Sequence, residues 1–282
     1  MDNLEKEISE LLRMISTRKK YNIKRYKSSF SKYEEYIEKS IYLLMSLYLL
    51  LSDHMKKFEN TIDDINTKNL TKLSPFSFVL INIINSCIVI HSTIKSGYST
   101  QAKILLRNYI EISDAYLCYL ADDKFSNFLT TPIKLDEGDN YIHVKYDFVL
   151  KTLKSVMHNL NFPKKFCNEM IVKKDKIYKE LSGSMHGKYI SNILDAFNVI
   201  GEDRLKLNIL GNIGNESELV SRNFVVQSYL FLDILIHVLI KTYELPFINF
   251  GLNGIKFATE YKTIRDSFYL DILLHIIQVD KD

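Results

Sequence analysis

The stretch "SKYEEYIEKSIYLLMSLYLLLSDHMKKF", Ser31 to Phe58, carries no glycine or proline and predicts a single long helix. The rest of the 282-residue chain follows suit, with only nine Gly and four Pro. So few breakers leave room for long helices and argue against a many-stranded fold built on tight turns. Inside the stretch lies the apolar run "IYLLMSLYLLL", Ile41 to Leu51, short of the ~20 residues that a bilayer span needs. "FVVQSYLFLDILIHVLI", Phe224 to Ile240, is longer but carries Gln227, Asp233 and His237. Both predict core helices, hydrophobic on most sides, and no integral membrane segment.

Outward from these runs, apolar residues recur at helical spacing. They predict helices over 3–20, 75–95, about 100–121, 143–160, 163–182, 188–199, 216–243 and 257–277. The first places Leu4, Ile8, Leu11, Leu12 and Ile15 on one face. The helix over 75–95 is apolar, with buried polar interruptions expected at Asn82, Asn85 and His91. Ser99 or Thr100 is the expected N-cap of the next helix. Polar residues 60–74, and a segment with Pro132 and Gly138, predict loops. Leu205, Leu207 and Ile209 alternate with polar residues, which predicts one short strand or hairpin near 204–212. The expected fold class is all-α: a basic N-terminal helix or arm over 1–30, then a helical bundle over 31–282.

Hydrophobic residues make up 46% and charged residues 25%, as in ordinary soluble domains. The net charge of +3 is too small to imply nucleic-acid binding by itself. Cys87, Cys118 and Cys167 are odd in number, widely spaced and without a CxxC pair, so neither a disulfide framework nor a structural zinc site is expected. That usage fits a reducing, cytoplasmic compartment. The N-terminus "MDNLEKEISELL" is charged and amphipathic, unlike a signal peptide. The phosphate-binding, dinucleotide, zincin, nucleophile-elbow and EF-hand motifs do not occur. No two histidines stand at metal-ligand spacing, and no metal or cofactor is expected.

Three constellations could carry chemistry. In "LLRNYIE", Arg107 and Glu111 are four apart and share a helix face, with Asp114 one turn further. Surrounding apolar residues bury this helix, and buried Arg and Glu need partners. The set is either a salt bridge that fixes helix packing or a charged pocket in which Arg107 holds an anion. In "YKELSGSMHG", Tyr178, Ser182 and His186 are also four apart, on one stripe if the helix runs through Gly183. Gly187 suits the left-handed position that ends a helix. His186 is then either a helix cap, favoured there by the helix dipole, or a proton-transfer group with Ser182 and Tyr178 as partners. Finally, "LLRMISTRKKYNIKRYKSSFSK", Leu11 to Lys32, has eight Lys or Arg and no acid, with aromatic residues interleaved. Arg18, Lys19, Lys20, Lys24 and Arg25 could track a phosphate backbone; the stretch could equally be a solvated face or meet an acidic partner.

The first two motifs together resemble those of a group of bacterial all-helical proteins of undefined function. Their LLRxxxE and YxxLSxxxHG patterns match Leu105–Glu111 and Tyr178–Gly187, and the resemblance covers about residues 75–245. That group is distantly similar to the HEPN domains of abortive-infection and toxin proteins. The resemblance implies a helical, usually dimeric protein, often a metal-independent RNase. One departure matters. Active HEPN RNases carry an Arg, then four to six residues, then a His, and no Arg of this chain has that spacing. Lys179, with six residues between it and His186, lacks the planar fork of arginine.

The expected function is therefore that of a HEPN-like defence or stress protein acting on RNA or a nucleotide, with His186, Arg107, Glu111 and Ser182 lining its site. The alternative is a non-enzymatic interaction or sensor module that partners another protein. A homodimer is expected, from the resemblance and from the excess of apolar helix at Phe224–Ile240. A third reading is a peripheral membrane effector using Ile41–Leu51.

Overall fold

The computed structural model describes residues 2–59, 76–130, 144–185, 197–199, 205–207 and 213–268. Among the described residues the helices are α1 (Asp2–Ser29), α2 (Ser31–Glu59), α3 (Phe76–Lys95), α4 (Ser99–Ala121), α5 (Asp123–Thr130), α6 (Tyr146–Asn159), α7 (Lys164–Met185), α8 (Asn215–Lys241) and α9 (Gly251–Phe268). Strand β1 (Phe197–Val199) pairs antiparallel with β2 (Leu205–Leu207), Phe197 opposite Leu207. The fold is all-α, with this hairpin as its one sheet among the described residues.

Helix α4 is the hub. It packs on α3, α5, α6, α7 and α8, while α2 closes the other side of α8 and α3. The reason for the α8 position is plain in its composition. From Val220 to Leu239 every residue except Arg222 and His237 is buried, so this helix must be covered on all sides. A bare apolar rod has no preferred rotation, and buried hydroxyls supply one. Ser217 bonds the Ser99 hydroxyl and Ser221 the Tyr26 hydroxyl, both at 2.9 Å. The Tyr229 hydroxyl donates to the Tyr36 carbonyl at 3.2 Å. Each bond contributes about 1 kcal/mol net, and a mis-rotated helix would forfeit all of them.

The apolar surface at Phe224–Ile240 is thus consumed within the chain, and it no longer argues for a dimer. By length and composition, Phe78–Lys95 and Asn215–Lys241 are both apolar enough to cross a membrane; the second is 89% buried in the bundle and the first 39%. In α2, Leu43, Leu44, Leu47 and Leu51 are buried, whereas Tyr42, Met45 and Leu49 are exposed. That helix is amphipathic, not hydrophobic on most sides as its sequence implied.

Several expectations need correction. Residues 197–199, expected to end a helix, form β1: Phe197 and Val199 flank Asn198 in the same period of two as "LKL" in β2. Asn82 and Asn85 are exposed, and only His91 of the three polar interruptions in α3 is buried. The N-cap of α4 is Tyr98, with no side-chain cap bond; Ser99, expected there, is already the first helical residue, and its hydroxyl bonds Ser217. Helix α5 falls where a loop was expected; the Asp122 carboxylate accepts the Phe125 amide at 2.8 Å and so starts a new helix where α4 stops. After α8, a 3-10 turn, Phe247–Phe250, leads into α9. Gly254 is required there, since a Cβ would sit 1.9 Å from the Phe247 carbonyl oxygen. Helix α1 runs past residue 20 to Ser29, and Asn22 and Tyr26 are fully buried, so its C-terminal half belongs to the bundle.

Candidate functional site

Arg107, Glu111 and Asp114 lie on one stripe of α4, at spacings of four and three. Lys174, Tyr178 and Ser182 lie on one stripe of α7, at spacings of four. The two helices pack together, and these stripes meet. The outer meeting point is a triad. The Arg107 Nη2 donates to the Tyr178 hydroxyl at 2.8 Å and to Glu111 Oε1 at 3.2 Å. The Tyr178 hydroxyl in turn donates to the same Glu111 oxygen at 2.5 Å. The guanidinium also sits over the Tyr178 ring, 4.9 Å from its centroid. Arg107 is mostly covered, with 13% of its side chain exposed, and Glu111 reaches solvent at 36%.

Burial raises the Tyr178 pKa, and the bond to Glu111 raises it further, against the opposing pull of Arg107. The phenol therefore stays protonated at neutral pH and acts as donor to the carboxylate. Burial pulls the Arg107 pKa down, but Tyr178 and Glu111 more than offset this and leave it raised.

One turn deeper lies a second cluster. Lys174 Nζ donates to both Asp114 oxygens, at 2.8 and 3.1 Å, and to Gln227 Oε1 of α8 at 2.7 Å. The Tyr146 hydroxyl of α6 donates to Asp114 Oδ2 at 2.8 Å. Asp114 and Lys174 are 0% and 1% exposed. Burial, and then Asp114, push the Tyr146 pKa far upward, so it too is a fixed donor. The Tyr146 and Tyr178 rings stack at 4.0 Å and join the two clusters into one polar seam from core to surface.

Of the residues singled out from sequence, the structure brings Arg107, Glu111 and Tyr178 together. Ser182 stands one turn beyond, half-buried, its hydroxyl donating to the Tyr178 carbonyl at 2.7 Å and not to the triad. Helix α7 does run through Gly183, as the stripe requires; His186 and Gly187 lie outside the described residues. The basic group is elsewhere, on α1, which packs on α2 and α3. There Lys19, Lys20, Lys24 and Arg25 are exposed and Arg18 lies over the Tyr21 ring.

Sequence reasoning missed Lys174, Tyr146 and Gln227. Lys174 was the findable one: it stands four residues before Tyr178 and so extends the stripe back by one turn. Also missed was a cluster whose members come from two helices. Ligand atoms of Glu34 and Glu38 on α2 and His91 on α3 lie within 4.8 Å of one another. Lys95 is ion-paired to Glu34 and stands 3.9 Å from Glu38, so a cation already serves these carboxylates. Burial, and then Lys95, lower the His91 pKa to about 4, so the ring is neutral, while the Lys95 ammonium already neutralises the carboxylates beside it.

Comparison with known proteins gives no significant match to this chain, whether among family models, curated proteins or solved structures.

Proposed function

We propose that the protein is a HEPN-like helical protein of bacterial defence or stress response that binds RNA or a nucleotide, with Arg107, Glu111 and Tyr178 as the floor of its site. The observation that carries this reading is the triad. Two sequence motifs, 71 residues apart at Arg107 and Tyr178, meet in one hydrogen-bonded group at the outer end of the α4–α7 seam. Glu111 faces solvent, so the group is reachable. A guanidinium held by a phenol and a carboxylate is pre-set for a phosphate, whose oxygens could take over its donors. In this reading Ser182 lines the rim, one turn beyond Tyr178, and His186, eight residues after Tyr178 in the sequence, moves the proton. The exposed basic residues of α1 supply electrostatic attraction for a polyanion.

A second reading is an interaction or sensor module without catalysis, in which the triad fixes the packing of α4 on α7. Its support is that each triad member already has a partner inside the triad. The two readings part on one experiment. Purified protein is incubated with single-stranded oligoribonucleotides and with nucleotides, and binding and cleavage are measured for wild type, Arg107→Lys and His186→Ala. The site reading expects both variants to fold normally and to lose cleavage or binding by about 10²-fold, the usual scale for a proton-transfer group. Wild type that neither binds nor cleaves either class of substrate would leave the scaffold reading standing.

A further inference from the structure

The face that α1 turns to the bundle does not stop where the bundle stops. Asn22 and Tyr26 are fully buried on that face: the Asn22 amide donates to the Ser96 carbonyl at 2.9 Å, and Tyr26 bonds Ser221. At 100° per residue, Ile8, Leu12 and Ile15 continue the same face toward the N-terminus. Beyond the bundle edge, however, Ile8 is 48% and Leu12 59% exposed. None of the described side chains from residue 6 to residue 20 is buried, so this part of α1 overhangs the bundle by roughly 22 Å, at 1.5 Å per residue. A lone helix of this length is marginal in water, so an overhanging apolar face calls for a partner.

Charge identifies the partner. Residues 2–10 carry Asp2, Glu5, Glu7 and Glu10 against one Lys, whereas residues 13–27 carry only bases. We propose that the overhang pairs antiparallel with the same helix of a second copy of this chain. Antiparallel pairing sets each acidic block against a basic block, while parallel pairing sets like against like. The boundary between the blocks falls at residues 11–12, which puts the twofold axis near Leu12 and residue 2 opposite residue 22. The paired length then ends where Asn22 enters the bundle, and the two bundles lie at opposite ends. The exposed Lys20 and Lys24 stand on the far side of the helix from Ile8, so pairing leaves them outward. This interface involves no residue of the α4–α7 seam and stands whether or not the proposed function does.

The test uses the full chain. Sedimentation should show a dimer for wild type, and a monomer for Ile8→Asp/Leu12→Asp with the bundle still folded by circular dichroism and thermal melting. Orientation is read from single cysteines, since native Cys87, Cys118 and Cys167 are all buried. Leu12→Cys should cross-link with its own copy under mild oxidation. Ile8→Cys should not, because its two copies are offset along the axis by about 12 Å, beyond the reach of a disulfide. A monomeric wild type, or a dimer that survives the double substitution, overturns the proposal. So does equal cross-linking of both cysteines, which is the mark of a parallel pair. A monomer that binds anionic vesicles or RNA and loses that binding in the double variant would reassign the same face to a membrane or to nucleic acid.

Discussion

Two polar clusters sit one turn apart on the same two helices, and solvent separates them in kind. Asp114 and Lys174 are sealed, with Tyr146 and Gln227 taking up further hydrogen bonds. Arg107, Glu111 and Tyr178 use the same chemistry, a cation, a carboxylate and a phenol, but stand at the mouth of the seam. A buried charge that loses its partner has nowhere to find another; a charge at the mouth has water. The inner cluster is therefore a structural commitment of the fold. The outer one stands where a change of side chain should cost little stability.

The largest effect expected lies in the inner cluster. Lys174→Met strands Asp114 in the core, and unfolding should show a loss of about 3–5 kcal/mol. Asp114→Leu combined with Lys174→Met should recover most of that, because an apolar pair needs no counter-charge; the residual cost comes from Tyr146 and Gln227, which lose a partner. A double variant as unstable as the single would break the comparison, since the cost would not then be that of a stranded charge.

His91 sharpens the point with a group that is buried but not ion-paired. Its folded pKa of about 4 lies below the ordinary value of 6.5. Between pH 6.5 and 4 the unfolded chain binds the extra proton, so its stabilising contribution, present above pH 6.5, is lost as pH falls through that window. Wild type should lose up to about 3 kcal/mol more than His91→Gln over this range. Denaturant midpoints at pH 7, 5.5 and 4 for both proteins check this; parallel curves would mean that His91 is not held neutral.

The smallest effect is reserved for the mouth. Tyr178→Phe removes the hydroxyl between Arg107 and Glu111, and thermal unfolding should register about 1 kcal/mol or less. A loss approaching that of Lys174→Met would place the triad in the structural class with its neighbour.

What was legible from sequence follows from which forces are local. Helix positions are set by apolar spacing and by the scarcity of Gly and Pro, and both are visible in one chain; α2, α3, α4 and α8 lie within about two residues of expectation. Helix α5 went unseen because Asp122 closes one helix and opens the next, which looks like a loop in sequence. Residues 197–199 were assigned to a helix because a strand of three residues acquires its meaning only from a partner six residues on. In the candidate site, the pairing of Arg107 with Glu111 was legible from a spacing of four, as was Tyr178 on the facing stripe. Lys174 stands at the same spacing, four residues before Tyr178, but the other members of its cluster, Tyr146 and Gln227, come from two further helices and meet it only in the fold. Burial of α8 could be read from its apolar run; the fact that its apolar surface is used up inside the chain could not, and that removes one of the two original grounds for a dimer.

The central claim is that structure and function divide along the seam between α4 and α7. Its most direct test measures unfolding free energy together with RNA or nucleotide binding for Arg107→Lys and Lys174→Met, side by side with wild type. Arg107→Lys is predicted to keep its stability to within about 1 kcal/mol while losing binding by about 10²-fold, because lysine keeps the charge but not the two-pronged donor. Lys174→Met is predicted to lose stability while the fraction that remains folded still binds. Wild-type binding by Arg107→Lys, with its stability lowered as far as that of Lys174→Met, would contradict the account.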